Sequence, residues 1–302
     1  MKHWISAFRL RTLPLAVSSI LVGSALAFEN SRLVSYGPDW RAVTGLALLT
    51  AILLQVLSNL ANDLGDHQHG TDNKDRVGPQ RAVQSGAISP AAMKRAMIIC
   101  GALALISGCT LITVALGFSI TTLVFLAIGL FAIGAAVKYT FGRNPYGYAG
   151  LGDLSVFLFF GIVGVCGTFY LHAGSLNDSV ILPSVCIGML SVGVLNLNNM
   201  RDIENDRRWG KRTIPVRIGP ERARTYHFRL IIGGVGAMVA ALMDNYHEFF
   251  QLIMILPLVA LLVDAWKVEN IRSAKDLDPY LKRLALGTFL TAILFSLGLI
   301  LA

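Results

Sequence analysis

The sequence predicts an all-α, polytopic membrane protein with nine transmembrane helices. Of the 302 residues, 54% are hydrophobic and only 15% are charged, whereas soluble domains carry about 25% charged residues. The mean hydropathy is +0.61, and the apolar residues fall into runs long enough to cross a bilayer. This composition excludes a soluble domain, intrinsic disorder, a coiled coil and a disulfide scaffold.

Each helix is predicted from a stretch without Asp, Glu, Lys or Arg. One stretch, 96–137, is about twice as long as a membrane requires, and we divide it at Gly117-Phe118-Ser119. Backbone groups in lipid must pair within their own segment, so the spans are helices. The sequence lacks the period-two alternation of a membrane β-barrel, which argues against that architecture. The predicted spans lie within 12–28, 42–62, 96–137 (two spans), 154–177, 179–200, 230–243, 249–263 and 284–302.

The basic residues predict how these helices are oriented. Of the 26 Lys and Arg residues, all but Arg32 and Arg41 are predicted to lie on the side of the membrane that holds the N-terminus. The positive-inside rule makes that side cytoplasmic and places the C-terminus outside. The first span begins directly after residue 4 and is followed by eight others, so we predict a retained helix. The net charge of +8 therefore indicates membrane topology, and we predict no nucleic-acid partner. The whole chain, 1–302, is predicted to form one integral-membrane domain.

Two predicted cytoplasmic loops carry rows of acids at the ends of apolar helices. In the first, Asn62 is followed four residues later by Asp66; in the second, Asn198 is followed by Asp202 and Asp206. Residues four apart share one helical face, so each row presents carboxylate and amide oxygens, the ligands that suit Mg²⁺. Basic residues after each row favour a metal-bridged diphosphate. A solvated polar loop is the alternative, and the repeated spacing counts against it.

A third segment, 139–153, combines tyrosines and glycines with Arg143 and Asp153. One interpretation is an interfacial aromatic belt, and the other is a wall of a diphosphate and acceptor site, since glycines permit close backbone approach. Asp153 at the edge of lipid requires a cavity or a partner such as Arg143. The four cysteines lie inside apolar spans without a CxxC pair, and we predict that they are inert.

These motifs resemble the UbiA superfamily of intramembrane aromatic prenyltransferases, and within it the branch that prenylates 1,4-dihydroxy-2-naphthoate in menaquinone biosynthesis. The resemblance runs nearly end to end and implies a UbiA-type bundle of nine helices with cytoplasmic Asp-rich loops. The motifs that carry it are Arg11-Thr12-Leu13-Pro14-Leu15, the row from Asn62 through Asp63 and Asp66 to Gly70 and Asp72, the stretch from Pro145 to Asp153, the row from Asn198 and Asn199 through Arg201 and Asp202 to Asp206, and Gly210-Lys211-Arg212-Thr213.

Two positions depart from the general superfamily pattern. The first motif usually has a third Asp where this chain has Gly70, with Asp72 two residues further on, as in the dihydroxynaphthoate branch. A Tyr is usually followed four residues later by a Lys, whereas here Tyr139 is followed by Arg143, which keeps the positive charge. The third metal ligand of the first row is therefore left open.

The resemblance implies transfer of a polyprenyl group from polyprenyl diphosphate to 1,4-dihydroxy-2-naphthoate, with loss of diphosphate and carbon dioxide, giving demethylmenaquinone. Mg²⁺ is the implied cofactor, and the lipid bilayer surrounds the protein. Stabilisation of the negative charge on the diphosphate lets it depart, and an allylic carbocation remains. A cavity in the bundle protects this carbocation from water.

The resemblance also implies the site residues. The implied metal ligands are Asn62, Asp63, Asp66, Asn198, Asp202 and Asp206. The implied catalytic residues are Asp63, Asp66, Asp202 and Asp206, together with Tyr139 and Arg143. The implied substrate-binding residues are Asn62, Asp72, Lys74, Arg76, Asp153, Asn198, Arg201, Lys211, Arg212 and Arg11. Arg9 or Arg11 is a candidate for the acceptor carboxylate, and snorkelling at the interface is the alternative.

Three other functions remain as alternatives. A related enzyme would prenylate another aromatic acceptor, such as 4-hydroxybenzoate, homogentisate or a porphyrin, and the stretch from Pro145 to Asp153 argues against it. A CDP-alcohol phosphotransferase would have one compact acid motif and fewer helices. A membrane transporter would place its acids in the middle of the spans, whereas these acids cluster at helix ends.

Overall fold

The computed structural model describes residues 2–31, 39–73 and 77–302. Within these ranges, nine helices are long and apolar enough to cross a membrane, which confirms the predicted class and number of spans. In chain order we label them α1 (Lys2–Asn30), α2 (Trp40–Gln68), α3 (Pro90–Leu116), α4 (Ile120–Lys138), α5 (Gly152–Ala173), α6 (Asp178–Arg201), α7 (Pro220–Asp244), α8 (Phe249–Asn270) and α9 (Ala274–Leu301).

The boundary between α3 and α4 lies where the sequence predicts it. Gly117 ends α3 with φ +59°, in the left-handed region that glycine adopts without strain. Ser119 then begins α4, because its hydroxyl accepts the backbone N–H of Thr122 while the Thr122 hydroxyl accepts the N–H of Ser119. This reciprocal cap starts a new helix, so the stretch 96–137 forms two spans.

Several helices extend beyond the charge-free stretches. α2 continues past the predicted end at residue 62 to Gln68, and α7 begins at Pro220 instead of residue 230. Polar residues remain helical there because each additional residue pairs another backbone N–H and C=O. The first acid row therefore lies on the end of a helix, where the sequence suggests a loop.

The central helix of the bundle is α6. Of its most apolar stretch, 72% is buried, whereas the value for α4 is 11%. α6 packs against α1, α5, α7 and α9, and these helices share one hydrophobic core with α8. The approach to α5 is close, since a Cβ added to Gly161 would lie 2.6 Å from the Ser184 carbonyl oxygen. α6 therefore carries the second acid row out of the core on a rigid support.

A second hydrophobic core joins α2 to its neighbours. Leu57, Leu60 and Leu64 of α2 are buried against Met93 and Met97 of α3, with side chains of α4 packed around them. The two acid rows are thus carried by helices of different cores. The segment 139–153 and the short helix Ile203–Arg208 lie between the ends of these helices.

Candidate active site

The first acid row occupies the last turns of α2, where its two acids contact different neighbours. Asp63 accepts hydrogen bonds from the backbone N–H groups of Ala82 (3.2 Å) and Val83 (3.1 Å). Asp66 accepts one from the Tyr148 phenol (2.9 Å). Asp63 therefore fixes the chain that follows α2, and Asp66 is the acid that faces the remainder of the site.

Replacing Asp63 with Ala is expected to destabilise the fold. The substitution leaves the buried N–H groups of Ala82 and Val83 without an acceptor, at a cost of roughly 1–3 kcal/mol for each. Thermal unfolding in detergent, followed by circular dichroism, measures the loss. Asp39→Ala, which removes the exposed cap of α2, is the matched control, with an expected loss of about 1 kcal/mol. A wild-type melting temperature for Asp63→Ala contradicts this assignment.

Tyr148 holds Asp66 in position. Its phenol oxygen lies 2.6 Å from Thr71 Oγ1, and the Thr71 hydroxyl donates to the backbone carbonyl of Asp66 (3.0 Å). The rings of Tyr148 and His69 pack with centroids 4.8 Å apart. Burial raises the pKa of Tyr148, and the charge of Asp66 raises it further. The phenol is therefore a neutral hydrogen-bond donor to the carboxylate.

Gly65 allows α2 to approach the segment that carries Tyr148. The Thr140 hydroxyl donates to the carbonyl of Ala61 (3.1 Å) and to Asn62 Oδ1 (2.8 Å), which ties this segment to α2. A Cβ added to Gly65 would lie 2.5 Å from the Thr140 carbonyl oxygen. The space for a side chain at residue 65 is therefore filled by backbone.

Gly65→Ala is expected to destabilise the protein and to lower its activity. The added methyl group displaces the backbone of Thr140, and overpacking of this kind costs about 1–3 kcal/mol. It also moves Tyr148 away from Asp66. Gly45→Ala on the same helix is the matched control, because nothing lies within 4 Å of a Cβ there. Melting temperature and turnover are measured for both, and equal behaviour of the two variants contradicts the steric argument.

The structure explains why the first motif has glycine at residue 70. Gly70 has φ +77°, and a Cβ there would meet the ring of Trp209, so an aspartate would need both a strained backbone and a displaced ring. Asp72 is buried instead, with Oδ1 3.7 Å from Nε of Arg81. The backbone N–H of Asp72 donates to the carbonyl of Asp66 (3.2 Å). The departure from the family pattern thus shifts the third acid by two residues.

The second acid row begins at the end of α6 and continues into the helix Ile203–Arg208. Arg201 is buried and binds both carboxylate oxygens of Asp202, through Nε (3.3 Å) and Nη2 (2.9 Å). The same Nη2 donates to Asn198 Oδ1 (2.8 Å). The N–H of Asp206 donates to the carbonyl of Asp202 (2.9 Å). The backbone hydrogen bonds thus link Asn198 to Asp202 and Asp202 to Asp206, although the helix that ends at Arg201 and the helix that begins at Ile203 are separated at Asp202.

Lys211 joins the two rows. Its Nζ lies 3.5 Å from Asp66 Oδ1 and 3.9 Å from Asp206 Oδ1, and it stands 5.2 Å from the centroid of the Tyr148 ring. Asn205 strengthens the connection, since its amide donates to the carbonyl of Thr71 (2.7 Å). Carboxylates from two helices of different cores thus meet around a single ammonium group.

The charges of this cluster determine its protonation states. Burial alone lowers the pKa of Lys211, but Asp206 and Asp66 outweigh burial and raise it above its ordinary value, so the side chain is a permanent cation. Burial raises the pKa of Tyr139, and the charges of Asp153, Asp66 and other neighbours raise it further. Tyr139 is therefore a neutral phenol.

Several predicted residues do not join the cluster. Lys74 and Arg76 lie outside the described residues. Arg143 is exposed, and in the part of the chain that the structure describes no ion pair links it to the acids. Arg212 is also exposed and contributes only backbone, since its N–H donates to the carbonyl of Tyr148 (2.9 Å). Arg11 is exposed and lies 3.8 Å from Asp278.

Asp153 has a different partner from the one the sequence suggests. It accepts a hydrogen bond from the phenol of Tyr226 (2.9 Å) on α7, and Arg143 is not involved. Tyr226 lies far away in the chain, so local sequence gives no signal for this pairing. The bond ties the first turn of α5 to α7 beside the cluster.

Sequence reasoning missed four side chains of the site. Arg81 lies 4.0 Å from Asp66 and 3.7 Å from Asp72, whereas the sequence predicts for it only a contribution to membrane topology. Thr71 and Asn205 lie within the two acid motifs, but their spacing predicts no role for them in the site. Asp278 binds Arg201 from the start of the last helix, and the only available signal was an acid at the end of an apolar span.

The donor set fits a hard divalent cation. Asp66, Asp72, Asp202 and Asp206 are all buried, and carboxylate oxygens without thiolate or imidazole suit Mg²⁺. Within the described ranges, no three His, Cys, Asp or Glu side chains already form a metal-binding group. Asp63 and Asn62 use their oxygens on Val83, Ala82 and Thr140, so they are the least suited of the predicted ligands.

Fold and site together describe a membrane protein with a buried cluster of acids, and the comparisons with known proteins identify its family. The UbiA prenyltransferase family model matches residues 16–293, and the chain belongs to this family. The 1,4-dihydroxy-2-naphthoate octaprenyltransferase of Escherichia coli is 42% identical over 299 residues, covering 99% of this chain and 95% of that protein. The protein of the same name from Mycobacterium tuberculosis is 35% identical, covering 96% and 94%.

Solved structures share the fold. A UbiA homologue from Aeropyrum pernix K1, in its apo form, superposes with TM-score 0.68 at 17% identity, covering 97% of this chain and 98% of that one. A UbiA homologue from Archaeoglobus fulgidus, bound to DMAPP and Mg²⁺, superposes with TM-score 0.58 at 19% identity, covering 95% and 98%. The chain is therefore a multi-pass membrane protein with the UbiA fold.

Proposed function

We propose that this chain transfers a polyprenyl group from polyprenyl diphosphate to 1,4-dihydroxy-2-naphthoate, acting as one integral-membrane domain over 1–302. The observation that carries the proposal is the position of Lys211, between Asp66 of the first row and Asp206 of the second. A site with acids on two sides and a cation between them suits a diphosphate held through metal ions. The names of the bacterial relatives support this acceptor and favour an octaprenyl donor.

Mg²⁺ is the proposed cofactor. Asp66 and Asp72 of the first row, with Asp202 and Asp206 of the second, would hold it, and Asn198 is the neighbouring amide. When bound, Mg²⁺ neutralises charge on the diphosphate oxygens. Its presence with DMAPP in the Archaeoglobus fulgidus homologue supports this assignment.

The residues of the chain account for the remaining steps. The bond between the prenyl carbon and the diphosphate oxygen breaks, and its electron pair leaves with the diphosphate. Lys211 and Arg81, which both contact Asp66, stabilise the departing anion. The phenols of Tyr139 and Tyr148 are neutral, so they donate hydrogen bonds without adding negative charge to the site.

The acceptor completes the reaction. The electron-rich ring attacks the allylic carbocation and forms a carbon–carbon bond, and the carboxylate is lost as carbon dioxide. The negative charge of the acceptor cancels the positive charge of the carbocation, so no net proton is released. The product is demethylmenaquinol, the reduced form of demethylmenaquinone. The helix bundle excludes the water that would otherwise capture the cation, and the prenyl tail extends between helices into lipid.

The proposed location is the inner membrane of a bacterial cell. The proposed orientation has the N-terminus and both acid rows in the cytoplasm and the C-terminus outside. The distribution of Lys and Arg supports this orientation through the positive-inside rule.

Mass spectrometry of the products tests the function. Purified protein in detergent receives Mg²⁺, octaprenyl diphosphate, and equal amounts of 1,4-dihydroxy-2-naphthoate and 4-hydroxybenzoate. We expect a prenylated naphthoquinol or naphthoquinone without the carboxylate, and we expect EDTA to abolish it. Prenylated hydroxybenzoate would keep the reaction class and reassign the acceptor. No prenylated product from folded protein would overturn the proposal.

A further inference from the structure

Arg201 links the second acid row to the last membrane helix. Its side chain is 3% exposed, and Nη1 donates to Asp278 Oδ1 at 2.6 Å, while Nε and Nη2 bind Asp202. Asp278 lies 77 residues away in sequence and opens the regular part of α9, which runs from Asp278 to Leu301. One guanidinium group is thus shared by two carboxylates, of which only Asp202 belongs to an acid row.

This sharing changes the charge that Asp202 presents. A carboxylate held by an arginine of its own is neutralised, and its attraction for a divalent cation falls accordingly. Two carboxylates around one guanidinium leave a net charge of about −1 on the group. Among the described residues Arg11 also lies near Asp278, but its Nη1 is 3.8 Å away and both side chains are more than 40% exposed, so water screens that pair.

The same contacts fix geometry. Arg201 Nη2 reaches both Asn198 Oδ1 (2.8 Å) and Asp202 Oδ2 (2.9 Å), so the plane of the guanidinium sets where the row presents its oxygens. Asp278 anchors the opposite edge of that plane through Nη1. Outer partners of this kind orient metal ligands and tune their affinity.

We propose that Asp278 is a positioning residue for the second acid row, acting through Arg201 to keep Asp202 oriented and negatively charged for a divalent cation. The inference rests on the proposed function, because it concerns the cation that Asp202 would hold. Asp278 itself stands behind Arg201 and does not touch the reacting groups.

Metal binding by the full-length protein in detergent tests the proposal without using activity. The probe is Mn²⁺ in the presence of inorganic diphosphate, titrated by calorimetry. Asp278→Asn keeps an oxygen acceptor for Arg201 and removes the charge, and we expect the Kd for Mn²⁺ to rise roughly tenfold. Asp278→Glu restores the charge and is expected to remain close to wild type.

The matched control is Asp264→Asn, which removes a carboxylate from another acid–arginine pair, Asp264 with Arg283 (3.4 Å). This pair does not involve an acid row, so its Kd is expected to match wild type. Asp278→Ser provides a second test if Asp278→Asn does not purify folded, since short polar residues are accepted at helix starts. Melting temperatures are recorded for every variant.

The outcomes separate this inference from the proposed function. If the Kd of Asp278→Asn for Mn²⁺ equals that of the wild-type protein, the proposed role of Asp278 is overturned. An equal loss in Asp278→Glu and Asp278→Asn overturns the charge argument. If Asp264→Asn also loses affinity for Mn²⁺, the effect is a general one of surface charge, and the charge argument is again overturned. Failure of the wild-type protein to bind Mn²⁺ overturns the metal part of the proposed function itself.

Discussion

Asp66→Asn is expected to abolish prenyl transfer, with a loss on the order of 10³-fold in kcat, while the protein remains folded. The change keeps the shape of the side chain and removes the charge that faces Lys211 and Arg81. It also replaces one of the carboxylate oxygens that would hold Mg²⁺. Turnover is measured by product formation, and Mn²⁺ affinity by calorimetry. We expect both to fall. Asp202→Ala is expected to behave in the same way.

The matched control for Asp66→Asn is Glu204→Gln. Glu204 lies inside the second motif but is exposed and pairs with Arg207 at the surface, where ion pairs contribute little. Its turnover is therefore expected to equal wild type. Near-normal turnover of Asp66→Asn would contradict the two-row arrangement, and a melting temperature far below that of Glu204→Gln would indicate a structural role instead.

Lys211→Met is expected to lower kcat by about 10²–10³-fold. The substitution removes the cation that lies between Asp66 and Asp206 and that would stabilise the departing diphosphate. Because Lys211 occupies the carboxylates that would hold the metal, its removal is not expected to weaken Mn²⁺ binding. The split between a lower kcat and a retained metal affinity distinguishes Lys211 from the acids. Arg207→Met, at the surface, is the matched control. Weaker Mn²⁺ binding by Lys211→Met would contradict the assignment.

The raised pKa of Lys211 also predicts a pH dependence. A raised pKa means that the stabilising charge is fully present below the unfolded value of about 10.4, and is lost only as the pH rises through the higher folded value. Activity of the wild-type protein between about pH 7 and 9 should therefore show no titration of Lys211. Loss of activity in that range that disappears in Lys211→Arg would contradict this.

Much of the fold was predictable because lipid imposes local rules. Charge-free stretches, the break at Gly117 and the alternation of basic flanks depend on neighbouring residues, and the structure confirms nine spans in the part of the chain it describes. The four-residue spacing of Asn198, Asp202 and Asp206 predicts one helical face, whereas the structure interrupts the helix at Asp202. Helix ends were less predictable, since polar residues extend helices beyond the apolar stretch, as at Gln68.

The partners of the site residues were not predictable in the same way. Asp63 and Asp66 look alike in the first motif, but Asp63 binds backbone N–H groups and Asp66 faces Lys211. Arg143 carried the expected positive charge, yet among the described residues the cations that contact Asp66 are Lys211 and Arg81. Two acids three residues apart are neighbours on one helical face, so only the neighbouring segments decide what each one meets.

The sequence by itself therefore determined the membrane class, the number of spans, the two acid rows and the resemblance to a prenyltransferase family, because each depends on composition or on spacing within a short segment. The tertiary structure decided which charges meet. Lys211 reaches Asp66 across 145 residues and Arg201 reaches Asp278 across 77, and contacts between such distant residues depend on how the two hydrophobic cores place the ends of α2, α6 and α9.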